Sequence, residues 1–319
     1  GRWFGLATKG DAELYETATG KSYVLGVGPA ATLAFDPTGQ FVAASGAPHV
    51  KVVRLESFKV VEQFEPGFSM AGTHQTREIP PNRLHFGEEV LAMEWAGRVA
   101  VGLVGSGGQV TKLPARGVQQ FAAGGSRVMW PDGTGKLSIY DASSGETTAL
   151  PPDPDLTGTY RLAMSGDGTR LAIASSTAGR PAVRLRDGRT LAPIRSMEGQ
   201  SAGIAGIDAT GDGSMLVTSS QFGGLVAAWN LESGEHLKFL PAAARGPAGV
   251  PSPMAAAQAF APVAADPSGR RIAVAGAMGV TVFDGSLQVQ HRLQGMLIQP
   301  TMVAFDGPHT IVATSLHAG

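Results

Sequence analysis

The sequence contains no cysteine, which excludes disulfide bonds, zinc–thiolate sites and cysteine nucleophiles. Charged residues make up only 16% of the 319 residues and the net charge is −1, which disfavours a disordered chain and nucleic-acid binding through bulk charge. No apolar run approaches the roughly 20 residues that a membrane-spanning helix needs. The missing cysteines fit an oxidising compartment and an Ala/Gly-rich composition equally well, so the compartment stays open.

Glycine and proline are plentiful, at 44 and 21 residues, and indicate many turns. Hydrophobic residues make up 43% of the chain, enough for a sizeable core. No segment has the periodicity of an amphipathic helix, so we predict an all-β fold. The high Ala and Gly content is typical of bacterial proteins from GC-rich genomes.

One turn recurs four times between short apolar runs, at Asp36, Asp167, Asp212 and Asp266. The segments are FDPTGQFVAAS, MSGDGTRLAIASS, ATGDGSMLVTSS and ADPSGRRIAVAG. Gly supplies a positive φ and Asp or Ser binds the local backbone, a combination that predicts β-hairpins. Because the four aspartates recur in equivalent turns, we expect the same structural role for each and a catalytic role for none.

A second turn follows about 18–20 residues later, as in YETATGK, YDASSGE and WNLESGE. The repeat spacing of about 40–54 residues is the range of four-stranded blades. In the clearest unit we predict strands a to d at about 203–208, 214–219, 224–229 and 236–240. The pattern places b to d at 1–28, a full unit at 29–65 and a weak unit at 85–116. Further units follow at 117–151, 158–199, 202–240 and 258–294, and the chain ends with an a and a b at 301–307 and 309–315.

Trp229-Asn230 stands where repeats of the WD40 family have Trp-Asp, and Tyr140-Asp141 and Phe283-Asp284 are softer versions. With the recurring turns, the sequence resembles the WD40-repeat family of β-propellers along nearly its whole length. It lacks the family's Gly-His before strand a and the Asp of the b–c turn. The resemblance implies a β-propeller of four-stranded antiparallel blades, forming one domain over residues 1–319.

Propellers of this kind usually close by pairing strands from the two ends of the chain, which removes an exposed edge. The first unit lacks strand a, and residues 301–307 supply it in this scheme. The count is then seven blades. Residues 309–315 compete with 2–8 for position b, so eight blades or part of a longer propeller array stay as alternatives.

Four connections are longer than blades need. They are the d–a connections 66–84, 151–158 and 241–258 and the b–c turn 174–181, which the resemblance places on one face. We therefore predict a non-catalytic scaffold, a module of a larger assembly, that binds protein partners there. The candidate binding residues are Phe68, Met70, His74, Arg77, Arg83 and Arg245. Surface loops that merely tolerate insertion produce the same pattern.

The competing hypothesis is a propeller enzyme or a cofactor- or metal-binding protein, quinoprotein-like or lactonase-like, with its site at the central channel. The seven histidines show no metal-binding spacing, and Asp153 and Asp155 fit a solvated turn better than a calcium loop. Strands a at ATLAFD, GIAGID, APVAAD and TMVAFD hold almost no polar side chain. We therefore expect no catalytic residue, no cofactor and no metal ligand.

Trp229 is expected to be structural. We predict that its indole packs between neighbouring blades, with Ser219 or Ser220 as its hydrogen-bond partner.

Overall fold

The computed structural model describes residues 3–7, 11–16, 19–28, 30–46, 48–67, 69–71, 76–78, 81, 83–115, 118, 120–131, 136–150, 160–175, 183–197, 204–220, 225–241, 263–266, 271–276, 279–294, 302–306 and 310–314. These residues divide between two compact units, 1–151 and 152–319. The described parts contain strands and turns and no α-helix, so no helix among them is long and apolar enough to cross a membrane.

The first unit contains a three-stranded sheet, three four-stranded sheets and one extra hairpin, all antiparallel. The three-stranded sheet is β1 (Trp3–Ala7), β2 (Ala12–Glu16) and β3 (Ser22–Val24). The four-stranded sheets are β4 (Ala30–Phe35), β5 (Phe41–Gly46), β6 (Val50–Arg54) and β7 (Lys59–Phe64); β10 (Arg83–Phe86), β11 (Val90–Trp95), β12 (Arg98–Leu103) and β13 (Val110–Lys112); and β14 (Ala122–Gly124), β15 (Arg127–Pro131), β16 (Leu137–Asp141) and β17 (Glu146–Ala149). The hairpin is β8 (Ser69–Ala71) and β9 (Thr76–Glu78).

The second unit contains three four-stranded sheets and one two-stranded sheet. The four-stranded sheets are β18 (Tyr160–Met164), β19 (Arg170–Ser175), β20 (Val183–Asp187) and β21 (Pro193–Met197); β22 (Ile204–Ala209), β23 (Met215–Ser220), β24 (Leu225–Asn230) and β25 (His236–Pro241); and β26 (Val263–Ala265), β27 (Arg271–Gly276), β28 (Gly279–Asp284) and β29 (Val289–Gln294). The two-stranded sheet is β30 (Met302–Asp306) and β31 (Thr310–Thr314).

The predicted all-β chain of four-stranded antiparallel units is confirmed, with strands paired in chain order within every sheet. Six four-stranded sheets and the two-stranded sheet fit the predicted seven blades. The structure pairs β1 with β2 and β31 with β30, so each terminal segment holds a strand of the kind predicted for position b. Pairing of the two chain ends in one blade stays a prediction.

Neighbouring sheets within each unit pack face to face through apolar clusters. Second strands are buried on both faces, as in β23, where all six residues are buried. One cluster joins β4–β7 to β10–β13, and another joins β22–β25 to β26–β29. This explains the wholly apolar runs after each turn, since a strand covered on both faces has no polar alternation.

The four predicted aspartate turns are equivalent, but the aspartates within them are not. In each turn the first residue donates its N–H to the carbonyl five residues on. Asp36 and Asp266 hold this first position, whereas Ser165 and Thr210 hold it in the turns of Asp167 and Asp212. The prediction of one shared role is therefore wrong, because the carboxylate occupies two different places.

The two turn forms differ in the side chain at the first position, which is a carboxylate in one form and a hydroxyl in the other. In the first form, Asp36 Oδ1 accepts the N–H of Phe41 at 2.6 Å and its Oδ2 accepts the Thr38 hydroxyl. In the second form, Ser165 Oγ accepts the N–H of Arg170 at 2.9 Å and donates to Asp167 at 2.6 Å. Both orders satisfy the N–H of the sixth residue, Phe41 or Arg170, which is why the sequence pattern tolerates both.

Candidate functional site

The connection at 66–84 contains the β8–β9 hairpin, which belongs to none of the larger sheets. Ser69 pairs with Glu78, Met70 with Arg77 and Ala71 with Thr76. Every four-stranded sheet already has its full set of strands, so this hairpin is an addition to the repeat. It is the part of the first unit that the repeated plan does not require.

Both ends of this connection are attached to the neighbouring sheets. Ser45 Oγ donates to the carbonyl of Pro81 at 2.8 Å, and Lys112 Nζ donates to the carbonyl of Gly67 at 3.4 Å. Beyond Pro81, Arg83 Nε lies 3.6 Å from Glu94 Oε2. These contacts fix where the hairpin leaves the sheets, which is the requirement for a loop that presents residues to a partner.

The structure places the predicted binding residues unevenly. Met70 and Arg77 are directly opposite each other in the hairpin, and Arg83 begins β10 and pairs with Glu94. Phe68, His74 and Arg245 lie outside the described residues, as do Asp153 and Asp155. The predicted common face of the four long connections stays a prediction.

The first strands of the sheets carry more polar side chains than the sequence analysis expected. Arg83 and His85 lie in β10, Arg161 in β18 and Asp208 in β22. The expectation came from ATLAFD, GIAGID, APVAAD and TMVAFD. These segments do not include β10 and β18, and Asp208 is the last residue of the second. Among the described residues, no group of three or more His, Asp or Glu side chains lies close enough to hold a metal ion.

Each of these polar side chains contacts protein. Arg161 Nε donates to the carbonyl of Ala205 on the next first strand at 2.8 Å. Asp208 Oδ2 accepts the N–H of Ala265, again on the next first strand, at 2.8 Å. Side chains of β18 and β22 thus satisfy backbone groups on the unpaired edge of the following strand, as buried edges require.

Burial favours the neutral form of two of these groups, so it raises the pKa of Asp208 and lowers the pKa of His85. Burial raises the pKa of Asp208 to about 6, against the hydrogen bonds from Ala265 and Ala209, which lower it. Burial lowers the pKa of His85 to about 4, and its ring stands edge-on to Phe121 with 6.1 Å between the centroids. Perturbed groups are functional candidates, but both shifts here follow from packing between sheets.

The Gly-rich segment VGLVGSGGQV binds a carboxylate of its own protein. Gly105 N donates to Glu62 Oε2 at 2.7 Å, and Gly108 N donates to Glu62 Oε1. Gly105 and Gly108 have φ of +91° and +82°, which only glycine adopts without strain. The backbone N–H groups of this loop therefore bind the carboxylate of Glu62 and connect the loop to β7 of the neighbouring sheet.

Trp229 packs between β18–β21 and β22–β25, in one buried cluster with Leu185, Met197 and Leu216. Its Nε1 donates to Thr218 Oγ1 at 2.9 Å, so the predicted partner, Ser219 or Ser220, is wrong. Trp229 is opposite Leu216 in the ladder. Side chains alternate along β23, so Thr218 shares the face of Trp229 and Ser219 points to the opposite face.

Ser219 is fully buried, and its hydroxyl has no hydrogen-bond partner among the described residues. Asp208, Arg161 and Thr218 are the residues that the sequence analysis missed as positioned side chains. Only the register of β18, β22 and β23 marks them, since nothing in their local sequence differs from a turn-flanking polar residue.

No protein-family model and no curated protein matches the sequence. Among solved structures, the β-propeller domain of Myceliophteria thermophila Cps50 (Swd1) is similar, with a TM-score of 0.61, 15% identity and coverage of 90% of this chain and 93% of that chain. The computationally designed Ika8 protein has a TM-score of 0.65, 14% identity and coverage of 98% of this chain and 90% of that one. The protein therefore has a β-propeller fold, and membership of the WD40 family stays a prediction.

Proposed function

We propose that the protein is a non-catalytic platform that binds protein partners through the connection at 66–84. The observation that carries the proposal is the β8–β9 hairpin, which is additional to the repeated sheets and anchored at both ends. Insertions on a rigid scaffold are where binding residues concentrate. A mixture of apolar and arginine side chains, as at Met70 and Arg77, suits a protein interface.

The enzymatic alternative has weaker support. The polar side chains of the first strands are engaged with protein groups: Arg83 with Glu94, Arg161 with Ala205 and Asp208 with Ala265. A catalytic site needs such groups aimed at a common point where a substrate can lie. No observation on the described residues favours that arrangement over a structural one.

The test replaces residues 68–80 by a short Gly/Ser loop, which keeps Gly67 and Pro81 and so preserves both anchors. Affinity capture from the native source first identifies a partner, and its dissociation constant is then measured with purified proteins. We expect the loop variant to bind at least about tenfold more weakly, the size of a lost hot spot. The matched control is Glu232→Ala, an exposed turn residue that we expect to leave binding unchanged.

A thermal melt of each variant shows whether the sheets remain folded. Recovery of the same partner with unchanged affinity by the loop variant would contradict the proposal. In that case Met70→Ala and Arg77→Ala have no effect either, since they remove side chains from the same hairpin.

A further inference from the structure

One aromatic side chain stands on a fourth strand at a position that is small or polar in the other sheets. Phe239 of β25 is opposite Ala227 and is 42% exposed. The residues at the same register in the other four-stranded sheets are Gln63, Lys112, Ala149, Ser196 and Arg292. The other sheets carry small or polar side chains at this position, so the repeated architecture does not account for an exposed aromatic ring here.

Phe239 ends a series of rings that begins in the core. The rings of Trp229 and His236 lie 4.9 Å apart between centroids, and those of His236 and Phe239 lie 4.2 Å apart. The Nε2 atom of His236 is buried and has no hydrogen-bond partner among the described residues. Leu237, on the same strand, is 45% exposed. The strand thus exposes two apolar side chains, Leu237 and Phe239, and holds one unsatisfied polar atom.

The edge of β25 is open for pairing. In the described sheet, β24 is its only neighbour, and at six residues β25 is as long as any fourth strand. Pro193 begins β21, Lys59 begins β7 and Pro241 ends β25, so the part of β25 that is free of proline runs from His236 to Leu240. The Lys238 side chain of β25 is engaged, because its Nζ donates to the carbonyl of Leu287 at 3.0 Å.

The charge around this edge favours an acidic partner. The fourth strands of the second unit carry Arg195, Lys238 and Arg292 and no Asp or Glu. Arg195 is exposed and donates one N–H to the carbonyl of Ser233, in the turn that leads to β25, which leaves further donors for a carboxylate. Glu232 and Glu235 flank the start of the strand, so the cationic part of the surface lies on the β21 side.

We propose that β25 is a docking edge for an extended protein segment that alternates apolar and acidic residues. The segment pairs its backbone with β25 as an added strand, places apolar side chains on Leu237 and Phe239, and places a carboxylate at Arg195. This rests on the proposed binding function only in treating the protein as a platform. It uses residues other than those of the β8–β9 hairpin.

The absence of cysteine allows a single-site test. In the variant Leu237→Cys, which keeps the Phe239 ring, a maleimide reagent reports exposure of this position alone. The probe is a synthetic peptide that alternates Glu and Val, and its matched control alternates Lys and Val. We expect rapid labelling of the free protein, slowed at least about tenfold by the Glu peptide and unaffected by the Lys peptide. The control position Val61→Cys, exposed on β7, is labelled equally with and without peptide.

A second variant, Phe239→Gln, installs the residue that β7 has at this register. We expect it to melt at the same temperature as the parent and to lose at least about tenfold in affinity for the Glu peptide. Equal affinity, equal protection by the Lys peptide, or no protection at all would overturn the proposal. A dimer that Phe239→Gln dissolves would also overturn it, because the occupant is then a second copy of the chain.

The two proposals fail separately. Replacement of residues 68–80 leaves peptide protection at Leu237→Cys unchanged if β25 is an independent docking edge. Phe239→Gln leaves the partner affinity of the hairpin unchanged if the hairpin acts alone.

Discussion

The sheets β22–β25 and β26–β29 follow one plan and differ at a few matched positions. Where the first has Thr218 hydrogen-bonded to Trp229, the second has Val274 and Phe283. Both pairs are buried, and Trp229, Val274 and Phe283 lie in apolar clusters with the preceding sheet. The comparison shows that one structural position accepts either a polar pair with its hydrogen bond satisfied or a wholly apolar pair.

The largest expected effect comes from breaking the polar pair. Trp229→Ala removes a fully buried ring and the hydrogen bond that its indole donates to Thr218. We expect a loss of about 3 kcal/mol or more in the free energy of unfolding, as for large aromatic residues in cores. Chemical denaturation measures it, and an unchanged midpoint would show that the ring does not hold these sheets together.

The comparison is sharpened by the double variant Trp229→Phe with Thr218→Val, which installs the pair of the neighbouring sheet. Removal of one partner of a buried hydrogen bond costs more than replacement of both. We therefore expect the double variant to lose less stability than the sum of the two single variants. Additive losses would mean that the hydrogen bond contributes nothing specific.

The next effect concerns the last apolar residue of the fourth strand. Leu240 is 2% exposed and packs in one cluster with Phe283 and Leu287 of the following sheet. Leu293 has the same register in β29 and is 46% exposed. We expect Leu240→Ala to cost about 2–4 kcal/mol and Leu293→Ala less than about 0.5 kcal/mol. Comparable losses measured by denaturation would show that a further element covers Leu293.

The smallest expected effect depends on pH. The first strand of one sheet has Asp208 where the next has Ala264. The pKa of Asp208, about 6, lies above its ordinary value of 3.8, so ionisation opposes folding and stability rises as pH falls through 6. Asp208→Asn keeps an acceptor for Ala265. We expect it to stabilise the protein by on the order of 1 kcal/mol at pH 7, with the difference vanishing near pH 4.

Asp212 supplies the opposite control. Burial raises its pKa, but hydrogen bonds from Ser214 and Thr210 outweigh burial and leave the pKa below its ordinary value. Its contribution is present above pH 4 and is lost as pH falls, so Asp212→Asn destabilises at pH 7. If melting curves across pH give the two variants the same sign, the conclusion that burial disfavours the ionised form of Asp208 is wrong.

Much of the fold was predictable because its information is local. Turns such as DPTG and TGDG fix hairpins through glycine φ and side-chain hydrogen bonds, and wholly apolar runs after them predict strands covered on both faces. The acid–hydroxyl exchange between Asp36 and Asp167 was not predictable by inspection, since both orders give the same turn. Of the predicted binding residues, Met70, Arg77 and Arg83 fall on described strands, and Phe68, His74 and Arg245 do not.

The amino-acid sequence alone determined the all-β class, the repeat and the positions of the long connections, because short-range turn chemistry and apolar alternation encode them. The tertiary structure decided which side chains meet. Thr218 rather than Ser219 binds Trp229 because of the face it occupies, and Asp208 reaches Ala265 because two sheets are adjacent. The exposure of Phe239 has the same kind of cause, because strand register and sheet packing in the folded protein set its surroundings.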